Sequence, residues 1–313
     1  MVVFGPVPSR RLGRSLGINN IPPKHCSYSC LYCQVGPTGA TEYRPRAFYR
    51  PERIFHEVKE RVAKLTQQGE PIDYLTFVPD GEPTLDAGLG ATIELLRGLN
   101  INIAVISNGS LVWQKDVREQ LKMADWVSLK VDSVDQSVWR TINRPHESLE
   151  LDRILSGMLA FAKQFDGVLA TETMLVEGVN TTDESAVRLT DFLTELAPDK
   201  AYLSIPIRPT ADKPVQAPGE EVLNRVYQII SSRIPGVELL TGYEGNAFGS
   251  SGDFVEDLLA ITSVHPMRRE AVQALLEKTN TEWSVVQGLM DEGKLREIDY
   301  DGKRFYLRAM RHE

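Results

Sequence analysis

Apolar and polar positions switch between two periods along the first three-quarters of this chain. Ile54, Val58, Val62 and Leu65 recur at helical spacing, and Pro51 stands where a helix accepts proline in its first turn. Tyr74 to Val78 is a short apolar run rich in strand formers, the mark of a buried strand. The pattern then repeats, with helices over 87–99, 114–123, 150–165, 183–196 and 219–233 and strands over 101–106, 126–131, 168–176 and 201–205. A shorter apolar stretch at 15–19 supplies a first strand, which Pro22-Pro23 ends. Alternation of this kind calls for right-handed crossovers and a parallel sheet. Six strand–helix units are fewer than the eight of a closed barrel. The pattern therefore predicts an α/β fold built as a partial (β/α)6 barrel over residues 1–240, with a doubly wound open sheet as the alternative.

The pattern changes after residue 240. Residues 241–252 are dense in Gly and Ser and read as a linker, or as an ordered flap, since Tyr243, Asn246 and Phe248 are not linker residues. Residues 253–313 predict three short helices, at 253–260, 266–278 and 282–292. A hairpin of 294–298 and 304–308 follows, turned by Asp301-Gly302. Three helices and a hairpin suggest a small winged-helix-like domain. Its would-be recognition helix carries Glu282, Asp291 and Glu292 and no Lys or Arg. That is a poor match to a phosphate-lined groove, so DNA is not the expected partner.

Composition narrows the class further. The 313 residues are 42% hydrophobic and 25% charged, ordinary for a water-soluble chain with a large core. No run of 18 apolar residues predicts a membrane span, and the start has no signal-peptide pattern, so a cytoplasmic location is expected. The net charge of −8 argues against bulk nucleic-acid affinity. The charge is uneven, however. Arg10, Arg11, Arg14, Lys24, Arg44, Arg46 and Arg50 face only Glu42 within the first 50 residues. That basic arm suits a solvated face, an anionic substrate or an acidic electron-donor protein, and it keeps RNA open as a partner.

All three cysteines fall inside this arm, as Cys26, Cys30 and Cys33, spaced Cys-x3-Cys-x2-Cys. An odd count in a long chain argues against a disulfide framework. Three thiolates do not close a four-ligand structural zinc site unless a residue such as His25 completes it. They can hold three irons of a 4Fe–4S cubane and leave the fourth iron open. Buried inert thiols are the plainest alternative.

Polar residues collect at the C-terminal ends of the predicted strands, where such folds place their chemistry. These are Asp80 to Thr84, Ser107-Asn108-Gly109, Lys130 with Asp132, Glu172, and Arg208. No strand is followed by a glycine-rich phosphate loop or a Walker lysine, which disfavours nicotinamide and ATP enzymes.

Together, Cys26-x3-Cys30-x2-Cys33, Tyr32 before the last cysteine, and Gly81-Glu82-Pro83 after the next strand resemble the signature of the radical S-adenosylmethionine (SAM) superfamily. The resemblance covers about residues 10–210. The segments 80–85, 106–109 and 173–180 look most like the subgroup containing tRNA 4-demethylwyosine synthase. Residues 128–132 resemble the strand that supplies a SAM-binding lysine in glycyl-radical activating enzymes. The resemblance implies that Cys26, Cys30 and Cys33 ligate one 4Fe–4S cluster whose open iron takes SAM. It places Tyr32, Gly81, Glu82, Pro83, Ser107, Asn108, Lys130 and Asp132 around SAM. Glu82 would accept from its ammonium, Lys130 would pair with its carboxylate, Ser107, Asn108 and Asp132 would take the ribose, and the backbone at Tyr32 would meet the adenine. Glu172 and Arg208 are candidates for substrate contact by position. The implied activity is reductive cleavage of SAM to a 5′-deoxyadenosyl radical that abstracts hydrogen from a small molecule or nucleoside, with a reduced flavodoxin or ferredoxin-type protein as electron donor. Modification of a protein or peptide docked on the C-terminal domain is the alternative, and a non-enzymatic iron–sulfur regulator a third. Wyosine synthase holds a second cluster on further cysteines; this sequence has none left, so its pyruvate and tRNA chemistry is not carried over.

Overall fold

A computed structural model describes residues 2–211 and 215–309. Met1, residues 212–214 and residues 310–313, parts of the two expected domain spans, lie outside the described residues. Among the described residues eight strands form one curled sheet in sequential order, from β1 (Val3–Ser9) and β2 (Gly13–Ile18) through β3 (Tyr74–Phe77), β4 (Asn102–Ser107), β5 (Trp126–Lys130), β6 (Val168–Met174) and β7 (Lys200–Ser204) to β8 (Val237–Leu240). β1 runs antiparallel to β2 and every other neighbouring pair is parallel. The result is the expected α/β half-barrel, with helices α1 (Pro51–Gln67), α2 (Leu89–Arg97), α3 (Lys115–Leu121), α4 (Gln136–Asn143), α5 (Leu151–Ala162), α6 (Asp183–Leu196) and α7 (Glu220–Ser231) in the crossovers.

Two strands of this sheet were not legible in the hydrophobic pattern. β1 holds Pro6 and Pro8, which argue against a strand in an interior position. It lies at the sheet edge, where proline costs no ladder hydrogen bond. β8 is four residues long and only its last residue is buried, so it lacks an apolar run. The chain therefore completes six strand–helix units and adds a seventh parallel strand and an antiparallel first one.

The strands read inward and outward alternately. Val105, Val127, Leu129, Leu169 and Leu203 share the large core with the helices. Ala104, Trp126, Ala170 and Tyr202 face the interior, where Leu12 from the β1–β2 turn packs on them. This second core plugs the floor of the half-barrel, and the interior positions nearer the strand ends stay polar, as at Lys130 and Glu172.

The segment after β8 bridges the two sheet edges. Gly249 donates its N–H to the Pro6 carbonyl at 2.7 Å, and a side chain on Gly249 would collide with the Pro6 ring. Phe248 is buried.

Helix α8 (Phe254–Thr262) then packs on β1, and Phe4 and Val7 share a core with Leu258, Met267, Leu275 and Tyr306. With α9 (Arg269–Lys278), α10 (Trp283–Asp291), β9 (Met267–Arg268), β10 (Leu295–Tyr300) and β11 (Lys303–Arg308), the C-terminal region has three helices and a three-stranded antiparallel sheet in the order β10-β11-β9. Asp301 and Gly302 both take positive φ, which a two-residue I′ hairpin turn requires. A buried ion pair at 2.5 Å, Arg61 on α1 with Asp257 on α8, ties this region to the barrel. Among the described residues no helix is long and apolar enough to cross a membrane.

Candidate functional site

The cysteine loop leaves β2 and is stitched along the residues that follow β3. Lys24 donates its N–H to the Asp80 carbonyl at 2.7 Å, and Glu82 donates its own to the His25 carbonyl at 2.9 Å. The crossing is so close that any side chain at Gly81, whose φ is +154°, would run into that carbonyl. This explains the glycine of Gly81-Glu82-Pro83: only glycine lets two backbones meet here. Pro83 then opens a single 3-10 turn, Pro83–Leu85, that Glu82 caps.

Glu82 is 1% exposed. Its Oε1 accepts from the Thr84 N–H at 3.0 Å, the Thr84 hydroxyl at 2.6 Å and the Ser107 hydroxyl at 2.7 Å. Its Oε2 accepts from the Asn108 N–H at 2.7 Å. Among the described residues every donor is neutral. Burial raises its pKa, and the four hydrogen bonds only partly oppose the rise. A buried carboxylate of this kind is held in place without a compensating cation.

Asn108 joins that carboxylate to the cysteines. Its side-chain amide donates to the Ser27 hydroxyl at 2.9 Å and points at Cys26 Sγ at 3.6 Å. Its Oδ1 accepts from the Ser110 N–H at 2.9 Å, which fixes the amide orientation. Asn143, on the last turn of α4, does the same for the second cysteine, its amide lying 3.4 Å from Cys30 Sγ and 2.7 Å from Asp132 Oδ2. The sequence pattern did not single out Asn143. The sequence reading also missed α4, whose start Asp135 caps by accepting from the Ser137 and Val138 N–H groups.

Asp132 is occupied by protein. Its Oδ2 accepts from the Tyr32 hydroxyl as well as from Asn143, and its Oδ1 accepts from the Met174 N–H at 2.8 Å. It anchors the cysteine loop on the ends of β5 and β6. The Tyr32 ring in turn lies 4.9 Å from Lys130 Nζ. Lys130 pairs with Glu172 at 2.9 Å, and Glu172 also pairs with Arg11 from the β1–β2 turn. Burial lowers the pKa of Lys130. Two of the positions singled out, Lys130 and Glu172, thus meet across neighbouring strands inside the barrel. Arg208, after β7, stands apart from them. It donates to Gln34 Oε1 at 3.1 Å, pairs with Glu244, and lies 3.3 Å from His265 Nε2.

The three thiols are half-buried and free of disulfides. Burial raises all three pKa values, that of Cys30 to about 12, and nearby negative groups add to the rise at Cys26 and Cys30. Such thiols stay protonated until a strong positive charge displaces the protons, as iron does. Among the described residues no three His, Cys, Asp or Glu side chains converge tightly enough for a single ion. His25 does not complete a zinc site: its ring nitrogen bonds Glu42 and its ring packs on Phe48 at 5.0 Å. A three-thiol set with amide N–H groups aimed at two of its sulfurs suits a polynuclear cluster, whose sulfurs take hydrogen bonds that tune its potential. The uncompensated Glu82 beside it suits a ligand that carries an ammonium.

Comparison with known proteins agrees. The pattern of the Radical SAM superfamily matches residues 20–190, more than half of the chain. The UPF0026 protein MJ1312 of Methanocaldococcus jannaschii is 50% identical over 312 residues, covering 99% of this chain and 97% of that one. The S-adenosylmethionine-dependent nucleotide dehydratase of Flammeovirga pacifica is 24% identical over 207 residues, 63% of this chain and 68% of that one. Among solved structures, TYW1 with a lysine–pyruvate adduct bound superposes with a TM-score of 0.56 at 16% identity, covering 71% of this chain and 74% of that one. That likeness confirms the half-barrel fold. With its cysteine triad, its Gly81-Glu82-Pro83 crossing and this match, the chain belongs to the radical SAM superfamily, enzymes that use a 4Fe–4S cluster and S-adenosylmethionine.

Proposed function

We propose that this enzyme abstracts hydrogen from a small-molecule or nucleoside substrate held in the mouth of the half-barrel. Cys26, Cys30 and Cys33 hold the cluster, and Glu82 accepts from the ammonium of SAM. A reduced cluster held there would supply one electron, taken from the donor protein, to the sulfonium of SAM, whose S–C5′ bond would break to give methionine and a 5′-deoxyadenosyl radical. This chain's residues do the positioning. Asn108 carries the reading, because its backbone N–H bonds Glu82 at 2.7 Å while its amide faces Cys26 Sγ at 3.6 Å. One residue thus sets the distance between the ammonium acceptor and a cluster sulfur. Ser107 and Thr84 fix the rotamer of Glu82. Asp132 orients the cysteine loop through Tyr32 and Asn143, which supports a supporting role for it in place of a direct ribose contact.

Lys130, expected at the SAM carboxylate, is engaged with Glu172; the two form an ion pair at the barrel wall. The nucleoside class is supported by the relative that is a nucleotide dehydratase by name. The basic arm supports a reduced flavodoxin or ferredoxin-type donor, because Arg46, 53% exposed, lies beside His25 at the outer side of the cysteine loop. The C-terminal region, whose α10 carries no Lys or Arg and whose core is shared with β1, reads as a winged-helix-like packing module in place of a DNA reader.

Anaerobic reconstitution with iron and sulfide, followed by SAM and dithionite, tests the reading. It should give 5′-deoxyadenosine and methionine. No 5′-deoxyadenosine from fully loaded protein would overturn it.

A further inference from the structure

Four parts of the chain bring ionisable side chains to one place beside the cysteine loop. Arg10 comes from the β1–β2 turn, Arg208 from the end of β7, Glu244 from the segment after β8, and His265 and Arg268 from the C-terminal region. Gln34, the residue after Cys33, touches the group through Arg208 at 3.1 Å and reaches the Val264 carbonyl at 3.5 Å. Glu244 is shared: Arg10 Nη2 lies 3.7 Å from its Oε1 and Arg208 pairs with its Oε2. Arg268 stacks on the Tyr243 ring with its Cζ 3.9 Å from the centroid.

Arg10, Arg208 and Arg268 gather near one carboxylate, Glu244, an excess of two positive charges; Arg11, also within reach of Glu244, is paired with Glu172. His265 adds none, because burial and the neighbouring Arg208 hold its pKa well below the usual value. Arg10 is exposed on its turn, but Arg208 and Arg268 are not. The Arg208 side chain is 11% exposed, and burial, with the charges of Arg10 and Arg268, lowers its pKa. The Nε–H groups of Arg208 and Arg268 are buried without a hydrogen-bond acceptor among the described residues. Buried donors without acceptors are costly, and two of them on neighbouring cations define a place for an acceptor-rich anion. A carboxylate would cancel one charge of the two. A phosphate monoester carries a charge close to −2 at neutral pH and three acceptor oxygens, which matches both the excess charge and the free donors.

We propose that Arg10, Arg208 and Arg268 form a subsite for the phosphoryl group of the substrate, so that this enzyme acts on a phosphorylated small molecule. Glu244 competes with that group for the same two guanidinium groups. The subsite abuts the cysteine loop at Gln34, so a phosphoryl group bound here points the rest of its molecule along the barrel mouth. Calling the anion a substrate rests on the radical SAM reading above; the binding of phosphate does not.

Iron-loaded protein, kept anaerobic and at constant ionic strength, is titrated calorimetrically with inorganic phosphate, with acetate as the monoanion control. The wild type should bind phosphate saturably and acetate far more weakly. Arg208→Gln should weaken phosphate binding by about tenfold or more, the loss of a charge-assisted hydrogen bond. Glu244→Gln should tighten it, a gain that no folding defect imitates. Arg10→Gln, on a more exposed turn, repeats the first test should Arg208→Gln not fold. Absence of saturable phosphate binding in the wild type, or the same affinity in wild type and all variants, would overturn the subsite. Formation of 5′-deoxyadenosine by the same wild-type sample separates the two ideas. Turnover of SAM without phosphate binding rejects the subsite alone, and phosphate binding without SAM turnover rejects the radical reading alone.

Discussion

Two buried carboxylates, Glu82 and Asp257, look alike by burial and differ in what faces them. Each accepts four hydrogen bonds. Asp257, wholly buried, takes the Ser250 hydroxyl at 2.7 Å, the Ser251 N–H at 2.7 Å, the Ser251 hydroxyl at 2.9 Å and the Arg61 guanidinium at 2.5 Å. Among the described residues Glu82 takes two hydroxyls and two backbone N–H groups and no cation. The first site is complete within the chain, and its work is to hold α8 and α1 together. The second is complete in hydrogen bonds but not in charge. Burial alone does not tell these two acids apart; the internal counter-charge that Asp257 has and Glu82 lacks does.

The comparison requires that Glu82 serve a bound cofactor and Asp257 serve the fold, and four measurements bear on it. The largest effect is expected at the cysteines. Cys26→Ser, Cys30→Ser or Cys33→Ser should each remove bound iron and abolish 5′-deoxyadenosine formation, while the melting curve of the iron-free protein stays close to wild type. Iron and sulfide analysis beside calorimetry checks this, and a variant with full iron content would break the assignment.

Next comes Asp257→Asn. It leaves Arg61 buried and unpaired and should cost about 3–5 kcal/mol of stability, read from denaturant unfolding. SAM affinity of the surviving folded fraction should not change. Third, Glu82→Gln should keep its iron but bind SAM about ten- to a hundredfold more weakly, as for a lost hydrogen bond to a charged group. Equal SAM affinity in wild type and Glu82→Gln would remove the distinction between the two acids.

The smallest effect concerns His265, at the contact between the C-terminal region and Arg208. Its native pKa lies well below that of an unfolded histidine, so below about pH 6.5 the unfolded chain holds a proton that the native chain does not. Stability tied to this group is therefore present above that pH and is lost as pH falls, by at most about 1.4 kcal/mol per pH unit. Asp80 and Asp86, both raised by burial to about 6, act in the opposite sense over the acid range. The difference between wild type and His265→Asn isolates the histidine: the variant should lose less stability between pH 6.5 and 5. Parallel curves would place His265 outside the contact.

Much of the site was legible because its pieces are short and local. The cysteine spacing and Gly81-Glu82-Pro83 lie within single loops, and helical period marked every long crossover helix. What escaped notice was either short or set by distant partners. Asn143 sits on an eight-residue helix with few apolar residues, and its value comes from reaching Cys30, 113 residues away in sequence. Lys130 was expected to face SAM, and its pairing with Glu172 follows from the β5–β6 register, which no local pattern encodes. Residues 241–252 were read as linker or flap. Their composition gave no sign that Glu244 would be shared by Arg10 and Arg208.

By itself the sequence determined most of the strand–helix order, the α/β class and a triad of thiols spaced to share one centre, because periodicity and thiol spacing are properties of neighbouring residues. Only the tertiary structure decided which charges meet. It gave Asp257 its arginine, left Glu82 without one, and gathered Arg10, Arg208 and Arg268 around a single acid, because counter-ions are chosen by distance in space and the chain brings them from elements far apart.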